Sequence, residues 1–133
     1  MIFKYKKYAT GILRPVVPID IIHKGQSVGY EVLIDSGADE CIFDAQIADI
    51  LRIPYTKGTK RSVSGITGVA KPYYVYPVTV SVGGWRYTIQ AGFLSGMARL
   101  GYGVVGQRGF FDIFIVKFDL VKGHIELTQR RRN

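Results

Sequence analysis

Cysteine occurs once in the 133 residues, at Cys41, and tryptophan once, at Trp85. A lone thiol closes no intrachain disulfide and supplies no cysteine metal cluster, so a disulfide scaffold and a zinc ribbon are both excluded, and a reducing, cytoplasmic setting is expected. Neither His23 nor His124 stands in a motif that would activate Cys41, which reads as a small buried side chain rather than a nucleophile. No apolar run approaches the roughly 18 residues of a membrane helix, and Met1-Ile2-Phe3-Lys4-Tyr5-Lys6-Lys7 lacks the apolar centre of a signal peptide. No membrane partner is expected. Acids are scarce, 10 against 18 Lys and Arg, for a net charge of +8. Six of those bases, Lys4, Lys6, Lys7, Arg130, Arg131 and Arg132, lie at the two ends, which leaves 12 bases against 10 acids between them. No zinc-finger, RNP or helix-turn-helix pattern accompanies the basic ends, so they read as solvated tails and nucleic acid is not expected as a partner.

Apolar residues make up 47% of the chain, with nine Tyr and seven Phe, which excludes intrinsic disorder. The 16 Gly follow no period and so mark turns between short strands rather than a fibrous repeat. The length suits a single domain over 1–133, with a core of about 14–128 and flexible basic ends. Val16 to Ile22 and Val28 to Ile34 are β-branched runs joined by Lys24-Gly25-Gln26-Ser27, a hairpin pattern. Tyr73 to Val82 and Trp85 to Phe93, joined by Gly83-Gly84, form a second. Phe114 to Phe118 and His124 to Thr128, with a turn at Lys122-Gly123, form a third. The last strand, His124 to Thr128, is expected to present an exposed edge and through it to contribute to the dimer sheet. Ile42, Phe43, Ile47, Ile50 and Leu51 predict a helix within Asp39 to Leu51, stopped by Ile53-Pro54. A helical turn is expected near Gln107 to Asp112, after a short buried strand at Gly103-Val104-Val105-Gly106.

Asp35 arrives at the end of the apolar strand Val32-Leu33-Ile34, where Ser36-Gly37 forces a sharp turn. The segment Val32-Leu33-Ile34-Asp35-Ser36-Gly37-Ala38-Asp39 resembles the active-site signature of the retropepsin-like aspartic proteases. Val104-Val105-Gly106 is similar to the apolar-apolar-Gly strand that supports the catalytic loop in that family. Ser64-Gly65-Ile66-Thr67-Gly68 lies where the family has its substrate-covering flap. The resemblance covers about residues 14–128. It implies an all-β, closed, retropepsin-like barrel with one or two short helices, working as a two-fold homodimer on a polypeptide substrate without metal or cofactor.

By the same resemblance Asp35 is the catalytic carboxylate, Ser36, Gly37 and Ala38 support its loop, and Asp39 positions the substrate backbone. Val104, Val105, Gly106 and Arg108 form the second support. Arg108 departs from the family pattern, since Gln107 intervenes where Arg follows the Gly directly. It is left either paired with Asp39 or solvated. Peptide hydrolysis needs a base to activate water and an acid to protonate the leaving atoms, which two carboxylates sharing one proton supply together. Asp20, Asp44, Asp49, Asp112 and Asp119 have no following Ser/Thr-Gly, so the second carboxylate must come from another copy across a two-fold axis. Two other functions stay open. One is a non-catalytic dimer of the same fold that grips an extended peptide or partner protein, and the other is a small basic barrel that binds RNA.

Overall fold

A computed structural model describes residues 1–64 and 70–130. Strands β1 (Ile2–Lys4), β2 (Lys6–Ala9) and β3 (Ile12–Arg14) precede a hairpin of β4 (Val16–His23) and β5 (Gln26–Ile34). Next, β6 (Cys41–Asp44) runs directly into α1 (Ala45–Leu51), and a 3-10 turn at Tyr55–Lys57 leads to β7 (Thr59–Ser64). The second long hairpin is β8 (Ala70–Val82) with β9 (Trp85–Leu94). Another 3-10 turn at Met97–Arg99 precedes β10 (Gly103–Val105), followed by β11 (Phe114–Asp119) and β12 (His124–Gln129).

The largest sheet runs β4-β5-β10-β6-β9-β8-β7, and β8 pairs also with β4 through Asp20↔Ser81 to Ile22↔Thr79. That extra pairing closes six strands into a barrel and leaves β7 attached outside it, as the expected closed all-β architecture requires. Alternation decides which face goes inward. In β4, Val17, Ile19 and Ile21 are buried while Pro18 and Asp20 are exposed, and in β9, Tyr87, Ile89 and Ala91 are buried between exposed Arg86, Thr88 and Gln90. Phe43, Phe93, Phe110 and Phe114 are fully buried, with the Phe110 and Phe114 rings 5.1 Å apart between centroids. Both long hairpins turn through two residues in the left-handed region, Lys24-Gly25 (φ 47° and 78°) and Gly83-Gly84 (φ 57° and 83°). Such turns match the twist of the flanking strands, so the first turn is tighter than the four residues expected, with Gln26 and Ser27 already in β5.

Several expectations are corrected. The helix within 39–51 occupies only its second half, because Cys41–Asp44 is drawn into the barrel, parallel to β9 and bonded on its other side to β10 at Val104↔Ile42. Asp44 ends that strand and caps α1 by accepting the Gln46 amide at 3.0 Å. The helical turn near 107–112 is a chain of turns rather than a helix, interrupted at Gly109, whose φ is +101°. Wide bonds hold it, with Phe111 N–H donating to Gly106 at 3.2 Å and Asp112 N–H to Gln107 at 3.0 Å. The described residues therefore contain one α-helix and two 3-10 turns.

Residues 2–14, read as part of a flexible basic end, form three strands. Phe3 packs on the core and β1 pairs with β12 through Ile2↔Glu126 to Lys4↔His124. β12 is consequently the middle strand of a sheet ordered β1-β12-β11, and its expected open edge does not exist. No helix among the described residues is long and apolar enough to cross a membrane.

Candidate active site

Asp35 sits where β5 is gripped from both sides. β10 runs parallel to its last residues, with Val32↔Gly103, Leu33↔Val104 and Ile34↔Val105 in register. The Asp35 amide donates to the Val105 carbonyl at 3.0 Å, while the Ile34 amide donates to Pro15 on the opposite side at 2.9 Å. Val32 and Ile34 are buried on one face and Leu33 is half-buried on the other, which is why the sequence here is a continuous apolar run rather than an alternating one. The chain then reverses in a turn in which Ala38 N–H donates to the Asp35 carbonyl at 3.2 Å. The Gly37 amide donates to Asp35 Oδ1 at 2.9 Å, and among the described residues it is the sole hydrogen-bond partner of that carboxylate. Ser36 and Gly37 are exposed and Asp35 is half-buried, so the carboxylate lies at the surface of its own chain.

The support under this loop is backbone on backbone. Gln107 N–H donates to the Ala38 carbonyl at 2.8 Å, Arg108 N–H to Asp39 at 3.0 Å, and the Gln107 side-chain amide to the Ser36 carbonyl at 3.0 Å. Gly106 leaves room for the approach. A Cβ there would lie 2.7 Å from the Glu40 carbonyl oxygen and 2.9 Å from the Ala38 carbonyl carbon. Val104, Val105 and Gly106 are thus brought against Asp35, Ala38 and the loop they were expected to carry.

Arg108 does not reach Asp39. Its guanidinium lies 3.3 Å from Glu40 Oε1, the same oxygen that pairs with Arg61 of β7, and Asp39 is exposed without an ion pair among the described residues. Glu40 Oε2 is buried with no hydrogen-bond partner among the described residues. Asp39, Glu40, Ile42, Arg61, Tyr73 and Arg108 line a cavity of about 400 Å³ beside the Asp35 loop. Glu40 and Arg61 escaped the sequence reading because their pairing spans β6 and β7 and leaves no local pattern. The acidic pair Asp39-Glu40 directly after the Ser-Gly turn was the only available hint. Beneath them Cys41 is fully buried with its thiol 3.4 Å from the Arg108 carbonyl, and burial pushes its pKa up to about 12. It stays a neutral thiol near neutral pH and offers no nucleophile.

β7 and β8 form the stem of the hairpin expected to act as a flap, paired from Thr59↔Val75 to Ser64↔Ala70. Ser64 ends β7, and Gly65, Ile66, Thr67 and Gly68 lie outside the described residues. Among the described residues no cluster of three or more His, Cys, Asp or Glu forms a metal-binding group.

An Asp-Ser-Gly turn is thus held at the end of a doubly paired strand on a closed β barrel. Residues 17–108 match the family model described as aspartyl protease, and the chain belongs to that family. The match runs from β4 through the Asp35 loop to Arg108, and so includes the contacts of β10 and Gln107 with that loop but not the Pro15 carbonyl. The chain is also similar in structure to the EIAV protease complexed with the inhibitor HBY-793, at 19% identity and a TM-score of 0.48, over 71% of this chain and 82% of that one. No curated protein matches the chain.

Proposed function

We propose that two copies of this chain form an aspartic endopeptidase in which Asp35 of each copy contributes one carboxylate of a proton-sharing dyad. The observation that carries this reading is the setting of Asp35, anchored through its own amide yet with a carboxylate that, among the described residues, meets only the Gly37 amide. One carboxylate cannot act as acid and base at once, and an isologous two-fold contact brings the same loop of a second copy against it. The ionised member takes a proton from water as that water attacks the peptide carbonyl, while the protonated member gives its proton to the developing oxyanion; the member protonated by water then passes that proton to the leaving amine, and the other takes one back from the tetrahedral hydroxyl, which restores the single shared proton. No metal, cofactor or covalent intermediate takes part.

In this scheme Ser36 holds the two loops together through its hydroxyl, and Gly37 and Ala38 let the loops approach. An extended polypeptide lies across the dyad, with its backbone met by Asp39 and its far side covered by the hairpin whose stem is β7 and β8. A carboxylate pair holding one proton works on the acid side of neutral, so cleavage is expected to decline as pH rises. A cytoplasmic location is part of the proposal. A peptide-binding dimer without activity is the competing reading, but binding alone gives no reason to bring two like charges together.

The test combines substitution with dilution. Asp35→Asn should abolish cleavage of an unstructured polypeptide while circular dichroism and thermal unfolding stay as in the parent. Specific activity of the parent should fall as the chain is diluted through its dimer dissociation constant. Cleavage by folded Asp35→Asn, or activity per chain independent of concentration through that range, would refute the shared dyad.

A further inference from the structure

The cavity beside the Asp35 loop has two walls, and an extended peptide lying across Asp35 passes between them. The loop and its support supply Asp39, Glu40 and Arg108, and the stem of the β7 and β8 hairpin supplies Arg61 and Tyr73. Arg61 and Tyr73 stand directly opposite each other in that stem and so share one of its faces. The remaining lining is apolar. Gly92 of β9 pairs with Ile42, and a Cβ on it would lie 2.7 Å from Ile42 Cδ1 and 2.7 Å from the Tyr73 ring, so the absent side chain is the space in which Ile42 and Tyr73 approach each other.

The polar part of the cavity offers more donors than acceptors. Arg61 and Arg108 both direct a guanidinium nitrogen at one oxygen, Glu40 Oε1, so a single carboxylate answers two full positive charges. The Glu40 side chain is only 11% exposed, against 42% for Arg61 and 69% for Arg108, and its Oε2 is closed off from solvent. The carboxylate therefore lies behind the two guanidinium groups, and the contact with Glu40 uses few of the N–H donors that each of them carries. Asp39, exposed on the rim, is engaged by the peptide backbone in the proposed mechanism.

Resting on the protease reading, we infer that this cavity selects an acidic side chain of the substrate. Its carboxylate is held between Arg61 and Arg108, and its methylene groups lie on Ile42 and Tyr73. The lining begins at Ala38 and does not include Asp35, so the selected side chain is not one of the two that flank the cut bond but one farther along the peptide. The two-fold relation that completes the dyad places a second such cavity beyond the other side of the cut, and the preference recurs there.

Digestion of a mixed peptide library, with the products read by mass spectrometry, should show acidic residues enriched on each side of the cut but not next to it. In a single peptide carrying Glu, Gln or Lys at that position, kcat/KM for Glu should exceed that for Gln by about fivefold, and the ratio should shrink in high salt. Arg61→Met and Arg108→Met should each bring the ratio toward one, and Arg61→Glu should turn the preference to Lys. Arg86→Glu, on the exposed face of β9, should leave the ratio as in the parent. Thermal unfolding checks each variant, and Arg108→Met decides the matter if the Arg61 variants do not fold. Capture of the same library on Asp35→Asn, which keeps the cavity, reads the selectivity without cleavage. A parent that cleaves with no preference for acidic residues at any position would overturn the inference and leave the protease reading standing. A chain that cleaves nothing, yet captures acidic peptides in a way that Arg61→Met and Arg108→Met weaken, would support the cavity and refute the protease. A chain that neither cleaves nor captures acidic peptides selectively would refute both.

Discussion

Replacing Gly106 by Ala adds one methyl group at the point where the catalytic loop rests on the end of β10. The new Cβ would stand 2.7 Å from the Glu40 carbonyl oxygen and 2.9 Å from the Ala38 carbonyl carbon, closer than real Cβ atoms come, and both obstacles are backbone. The loop between Ala38 and Glu40 must then move outward by several tenths of an ångström, straining the 2.8 Å bond from Gln107 to Ala38 and the 3.0 Å bond from Arg108 to Asp39. Overpacking of this kind costs about 1–3 kcal/mol. For a chain of this length that lowers Tm by about 4–12 °C. Because the displaced residues directly follow Asp35, the carboxylate moves with them, and kcat/KM should fall by about a hundredfold. Gly29→Ala is the matched control. Its Cβ would meet only Asp20 Oδ1 at an ordinary 3.9 Å, so stability and cleavage should change little. Differential scanning fluorimetry and cleavage of a quenched fluorescent peptide read both quantities. If Gly106→Ala matches Gly29→Ala in Tm and in kcat/KM, the close approach of β10 to the loop does not position Asp35.

The Asp35→Asn experiment above tests the dyad, and two further outcomes test the packing around the site. Glu40→Gln removes the charge that holds Arg61 and Arg108, both substantially exposed, so the loss should be about 1 kcal/mol or less in urea unfolding and should shrink in high salt; a larger, salt-independent loss would refute a mainly electrostatic role. Burial raises the pKa of Cys41 and of Tyr30 to about 12 and that of Tyr87 higher still, above their ordinary values of 9.0 and 10.0. These groups ionise first in the unfolded chain, so stability is intact below about pH 9 and falls as pH climbs from there toward 12. Equal urea midpoints at pH 8 and pH 10.5 would contradict that burial.

Much of the fold is legible in local sequence. Alternation in Trp85 to Phe93, the Gly83-Gly84 turn and the unbroken apolar run into Asp35 each state a strand, a reversal or a strand end paired on both edges. Their periods and turn chemistry depend on neighbours a few residues away. The chemistry of the site is legible for the same reason, since Asp35-Ser36-Gly37 is contiguous.

What the sequence left open depends on partners far along the chain. Cys41–Asp44 carries side chains that suit either a helix or a strand, and only the open positions between β9 and β10 made it a strand. Ile2 to Lys4 looked like part of a basic tail until β12 offered an edge to cover, and covering it transferred the free edge to β11. Arg108 had an acid within reach in Asp39, yet Glu40 took it, because β6 turns Glu40 into the same cavity that Arg61 enters from β7. Local pattern determined that Asp35 would stand at the end of a barrel strand; pairing between distant segments decided which groups surround it.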